Sequence, residues 1–124
     1  MDWLRRADWL TRERVRGYAL LLAFASLALL ANSYLKAMGP AGTDFLAFWG
    51  AGQLTAEGAP AAAYDLAAQE RVQTGTGSEG WFAFVNPPPF LFIAAPFGML
   101  PFAPAWLAWV AVTWGLVALS LKPL

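Results

Sequence analysis

The 124-residue chain is 59% hydrophobic and 13% charged, against about 45–50% and about 25% in an average soluble domain. That excludes a disordered chain and argues against an ordinary soluble one. Eight Lys and Arg balance eight Asp and Glu, so no nucleic-acid footprint shows in the total and no nucleic-acid partner is expected. Cys and His are absent. No disulfide, zinc finger, His-based metal site or Cys or His nucleophile is available, and neither a metal nor a cofactor is expected. Any catalysis falls to carboxylates, hydroxyls, amides, Lys or Arg.

In chain order, residues 1–16 form a basic segment with Arg5, Arg6, Arg12, Arg14 and Arg16 against Asp2, Asp8 and Glu13. Residues 17–35 carry no charge. An apolar run of 18 or more residues reads as a membrane-spanning helix. Tyr18 and Tyr34 stand near its ends, where an amphipathic ring rests at headgroup level, and the preceding arginines place the N-terminus in the cytoplasm. A cleaved signal peptide shares the basic start. Its apolar part is only about 7–15 residues and ends at a small-residue site, whereas Asn-Ser-Tyr-Leu-Lys follows here. An anchor in the plasma (inner) membrane is therefore expected.

Residues 36–83 read as an extracytoplasmic loop. Through Glu79 it holds five acids against two bases, as a translocated segment can. Thr43 is the expected cap and Asp44 the first-turn acid of a helix near 43–57, apolar on nearly every side. Gly58 is placed to end it. Pro60 is placed to open a second short helix near 61–73, and TGTGSEG (74–80) reads as a flexible loop. Both helices are expected at the membrane interface.

No charge occurs from residue 80 to 121, and Pro101 and Pro104 divide that run. The second part, 103–121, is an expected span, with Trp106 and Trp109 as interfacial anchors. The first, 84–100, reads as a short transmembrane or re-entrant helix, the span being favoured because it leaves a tight turn between antiparallel helices. The expected fold is thus an all-α membrane protein with about three transmembrane helices and a loop containing two short interfacial helices.

GTDFLAFWGAGQLTAEGAPAAAYD (42–65) resembles the first extracytoplasmic loop of glycosyltransferase family 87. FAFVNPPPFLFIAAPFGMLPFAPAWLAW (82–109) is similar to that family's aromatic-Pro-Pro, apolar and Leu-Pro run. Asn86 stands where the family often has Tyr, and family members are roughly three times as long, so the resemblance covers their N-terminal portion. It implies a GT-C type membrane enzyme that moves a sugar from a polyprenyl-phosphate donor to a lipid or glycan acceptor, with inversion. It also implies an acidic catalytic base in the first loop. Asp44 is the matching position.

The chemistry agrees, because an attacking hydroxyl must lose its proton to a carboxylate within hydrogen-bond reach. A first-turn carboxylate that only stabilises its helix is the plainer reading of Asp44. Lys36 and Arg71 are candidate phosphate partners; a snorkelling helix end explains Lys36 equally well, and an exposed ion pair explains Arg71. Phe48 and Trp49 are candidates to stack on a sugar or isoprenoid, and Asp65 to assist. The alternative is a non-catalytic small membrane protein or truncated remnant acting as an assembly partner with other membrane subunits. Three helices hardly enclose both donor and acceptor, so the isolated chain is expected to show little or no transfer. A channel or transporter subunit is disfavoured, since the spans carry no ionisable residue.

Overall fold

A computed structural model describes residues 11–121, and its elements are all helical. Arg5, Arg6 and Lys122, which bear on orientation, lie outside the described residues. The chain divides into two units, Met1–Leu35 and Lys36–Leu124.

From Arg12 to Leu35 the first unit is part of one helix, α1 (Arg12–Ala37). It starts about five residues before the apolar run because Thr11 begins it: the amide of Arg14 donates to Thr11 Oγ1 at 3.3 Å and that of Val15 to the Thr11 carbonyl at 2.9 Å. Glu13 in the first turn and Lys36 in the last complement the helix dipole. Its apolar stretch is exposed on all sides. At about 1.5 Å per residue its 26 residues exceed the roughly 30 Å of a bilayer core.

The second unit holds α2 (Phe45–Ala56), a 3₁₀ turn (Pro60–Tyr64), α3 (Leu66–Thr74), α4 (Phe90–Gly98) and α5 (Phe102–Ser120). α2 is its centre and is buried from Phe45 to Gly52. From Phe45 to Gly52 no polar residue interrupts the helix surface, so this part can be packed from several sides. Phe45 and Phe48 meet Trp109 at ring-centroid separations of 5.9 and 4.7 Å, and Phe102 lies 5.9 Å from Phe45. Such tilted aromatic pairs add about 0.5–1.5 kcal/mol each beyond their buried area. On another side, Gly52 of α2 meets Ala94 and Gly98 of α4 so closely that backbone touches backbone.

Three expected elements differ. The expected helix 61–73 is two pieces. Pro60 sits in the first turn of the 3₁₀ segment, and Asp65 then adopts an extended backbone (φ −86°, ψ 121°) and restarts the chain as α3. The expected helix 84–100 shrinks to nine residues, Phe90–Gly98. Pro87, Pro88 and Pro89 lack amide donors, so the helix starts only when Phe90 and Leu91 donate to the carbonyls of Pro87 and Pro88. Nine residues span roughly 13–14 Å, less than half a bilayer core, so α4 is too short to cross on its own. The 74–80 loop is tied down. The carbonyl of Pro40 accepts from the amides of Glu79 (2.8 Å) and Gly80 (3.3 Å) and from Ser78 Oγ (3.1 Å).

Among the described residues two helices, α1 and α5, are long and apolar enough to cross a membrane. α5 buries only Ala105 and Trp106, near its start, and is exposed from residue 111 onward.

Trp49 joins α2 to the turn before α5, its indole N–H donating to the Leu100 carbonyl at 2.9 Å. Trp49→Phe keeps most of the packing and loses this bond. It is expected to cost about 1 kcal/mol, read as a lowered thermal midpoint in detergent.

Candidate functional site

The turn between Lys36 and Phe45 brings Asp44 to the start of α2. Backbone bonds from Leu46 to Thr43 (2.8 Å) and from Ala47 to Asp44 (3.2 Å) open the helix. Neither side chain caps it. Asp44 already has helical backbone angles (φ −54°, ψ −24°) and makes no cap bond, because a capping side chain needs an extended backbone to fold back on the next amides. Thr43 Oγ1 is buried and without a hydrogen-bond partner. The expected Thr43 cap is therefore absent, and the exposed Asp44 carboxylate is not committed to holding the helix.

Opposite Asp44 in the pocket runs a stretch without helix or strand, 82–86. The side-chain amide of Gln73 pairs with its backbone: Phe82 N–H donates to Gln73 Oε1 at 2.8 Å and Gln73 Nε2 donates to the Phe82 carbonyl at 2.7 Å. Gln73 Nε2 also donates to Gln69 Oε1 (2.7 Å), and Gln69 Nε2 to the Ala63 carbonyl (2.8 Å). Both glutamines are 0% exposed. At the other end of the stretch, the Tyr64 hydroxyl donates to the Asn86 carbonyl at 3.0 Å, and its ring lies 5.5 Å from that of Phe84. Sequence reasoning missed this clamp. The available signal was a Gln-x-x-x-Gln pair, which puts both amides on one face of α3 together with Ala68.

Between these walls lies a pocket of about 290 Å³ lined by Asp44, Ala47, Phe48, Phe82, Ala83, Phe84, Val85 and Asn86. One carboxylate, one side-chain amide and three aromatic residues share it, and no cation is among its lining residues. Its size falls at the lower end of the roughly 300–1,000 Å³ of ligand pockets, which suits one ring-sized group rather than a long chain. A carboxylate there can accept a hydroxyl proton, an amide can orient a second hydroxyl, and aromatic rings can cover an apolar face.

Of the residues singled out from sequence, Asp44 and Phe48 line the pocket. Lys36, Trp49, Asp65 and Arg71 do not. Lys36 lies in the last turn of α1 and is exposed. Trp49 is only 7% exposed and packs against Phe102 at 5.5 Å, so its ring offers no face to a ligand. Asp65 caps α3, its Oδ1 accepting from the Ala68 amide at 2.7 Å, and its carboxylate is used there. Arg71 is exposed in the last turn of α3, where it complements the helix dipole.

Gln73→Leu strands the Phe82 amide and carbonyl and Gln69 Oε1 inside the fold. Each unsatisfied buried group costs about 1–3 kcal/mol, so denaturant unfolding is expected to show a loss of at least that size. Gln73→Glu instead faces an ionised oxygen toward the Phe82 carbonyl. Burial favours its protonated form, so the folded state takes up more protons and the variant gains stability as pH falls.

No family model, no curated protein and no solved structure matches the chain. Among the described residues, the fold and pocket by themselves define all-helical elements, two helices long and apolar enough to cross a membrane, and a carboxylate pocket in the segment between them.

Proposed function

We propose that the chain works as the N-terminal part of a multi-pass inner-membrane glycosyltransferase. Its N-terminus is cytoplasmic and its pocket faces the opposite side. It moves a mannose-like hexose from a polyprenyl-phosphate donor to a lipid or glycan acceptor, with inversion. The observation that carries the reading is the Asp44 carboxylate: free of capping, it lines a ring-sized pocket with Asn86 and three aromatic residues. The resemblance of residues 42–65 and 82–109 to glycosyltransferase family 87 supports it.

In this mechanism Asp44 accepts the acceptor's hydroxyl proton as that oxygen bonds to the anomeric carbon. The bond from that carbon to the phosphate oxygen breaks on the opposite face, and polyprenyl phosphate leaves as an anion. The anion needs a cation, and none lines the pocket. Lys36 and Arg71, or residues of other membrane subunits, supply it from outside the pocket.

The test is label transfer from a polyprenyl-phosphate hexose in membranes with and without the chain. Transfer that depends on the chain is expected. If adding the chain never raises transfer, in any membrane background, the enzyme reading fails and a non-catalytic assembly partner is left.

A further inference from the structure

α4 has two unlike faces. Leu91, Ala94 and Gly98 are buried, spaced three and four residues apart, and Ala94 and Gly98 meet α2. Phe92, Ile93, Pro96 and Met99 form the other side and are exposed, Phe92 to 85%. Nothing in FLFIAAPFG is polar. A helix with one packed face and one bare apolar face needs a cover.

The surroundings point to lipid. Residues 80–121 carry no charge, and α4 runs through Met99, Leu100 and Pro101 directly into α5, which is long enough to cross a bilayer. α4 therefore lies at the depth of the first turns of α5. Its own length reaches less than half of a bilayer core. Every backbone group at that depth must be paired. The stretch before α4 meets this demand with three prolines that have no N–H.

We propose that α4 is a half-inserted helix whose Phe92, Ile93 and Met99 side lies among the acyl chains of one leaflet. The chain then crosses the membrane twice, through α1 and α5, and not three times. Parity follows: the segment before α1 and the segment after α5 face the same side. That arrangement puts Lys122 on the side of the N-terminal arginines, as the positive-inside rule favours. Three crossings would put it with the acidic loop.

The chain has no Cys, so single-Cys variants of the full chain in liposomes test both points. Glu13→Cys and Leu121→Cys should react with an impermeant maleimide from one side, and Glu79→Cys from the other. A fluorophore on Phe92→Cys should be quenched by a lipid nitroxide placed near the headgroup and not by aqueous iodide. All four positions are exposed, so the substitutions spare the packing. Leu121→Cys reacting from the side of Glu79→Cys would overturn the two-crossing arrangement. Quenching of the Phe92 probe by iodide would overturn the insertion. Protection from both quenchers would mean that a second copy or another protein covers the face, and would overturn it as well.

Discussion

Gly98→Ala should strongly destabilise the packing of α2 against α4, although it adds one methyl group. A Cβ at Gly98 would meet the Gln53 amide nitrogen and the Gly52 carbonyl, all backbone atoms. Backbone in the middle of two packed helices cannot swing aside as a side-chain end does. Overpacking typically costs about 1–3 kcal/mol, occasionally more, and this contact belongs at the upper end. For a domain stable by about 5–15 kcal/mol that is a large fraction. Close helix approach through small residues is also how helices associate where lipid removes the hydrophobic drive. Gly115→Ala is the control. It too is a helical glycine, with nothing within 4 Å of the added atom, and the better helix former should be neutral or stabilising by up to about 1 kcal/mol. The measurement is tryptophan fluorescence during thermal unfolding in detergent, wild type beside both variants. Equal midpoints for Gly98→Ala and wild type would mean that the helices separate at little cost.

The same crossing shows where the sequence is readable and where it is not. α1 and α5 stand out because a charge-free run of sufficient length has few alternatives to a long helix. α2 was readable as a helix but not as to its packing. An almost wholly apolar surface gives no period that separates a buried side from an open one, and so Trp49 was a candidate to stack on a ligand when it lies in the core. α4 was overextended because the sum of apolar residues outweighed three consecutive prolines, whose missing donors delay the helix to Phe90. The glycines at 52 and 98 announce close approach only once both helices are in place, since they are 46 residues apart.

The pocket divides in the same way. Asp44 was singled out through the resemblance to glycosyltransferase family 87; by position alone it read as a first-turn carboxylate that stabilises its helix. Its freedom from capping depends on backbone angles that no residue pattern reveals. The opposite wall could not be picked out. Phe82 is held by the amide of Gln73, nine positions away, and such a side-chain substitute for a strand partner has no periodic signature. Asp65, the candidate to assist, has a role its sequence position did not announce: the break between the 3₁₀ turn and α3 makes it a cap. A free carboxylate at 44 and a used one at 65 make the two positions a matched pair for experiment.

In membranes where the transfer reaction runs, Asp44→Asn is expected to lower kcat by roughly 10²–10⁴-fold, the usual contribution of a positioned general base. The change keeps the size and the hydrogen-bonding reach of the side chain, but an amide oxygen is too weak a base to take the acceptor's proton. Donor binding should stay nearly constant, because no cation lines the pocket and the proposed phosphate partners lie outside it. Stability should move little. Asp44 makes no capping bond, and loss of an exposed charge near a helix start is worth about 0.3–1 kcal/mol. Asp65→Asn gives the contrast. Asn caps about as well as Asp, so that variant should keep both fold and turnover, while Asp65→Ala should lose about 1 kcal/mol of stability and keep its turnover per folded molecule. The readouts are label transfer per folded chain and donor affinity, taken on the same preparations. Wild-type turnover in Asp44→Asn would remove the base from the mechanism. A loss of turnover matched by an equal loss of folded protein would make Asp44 a structural residue. Only a fall in kcat with fold and donor binding preserved assigns the proton to this carboxylate.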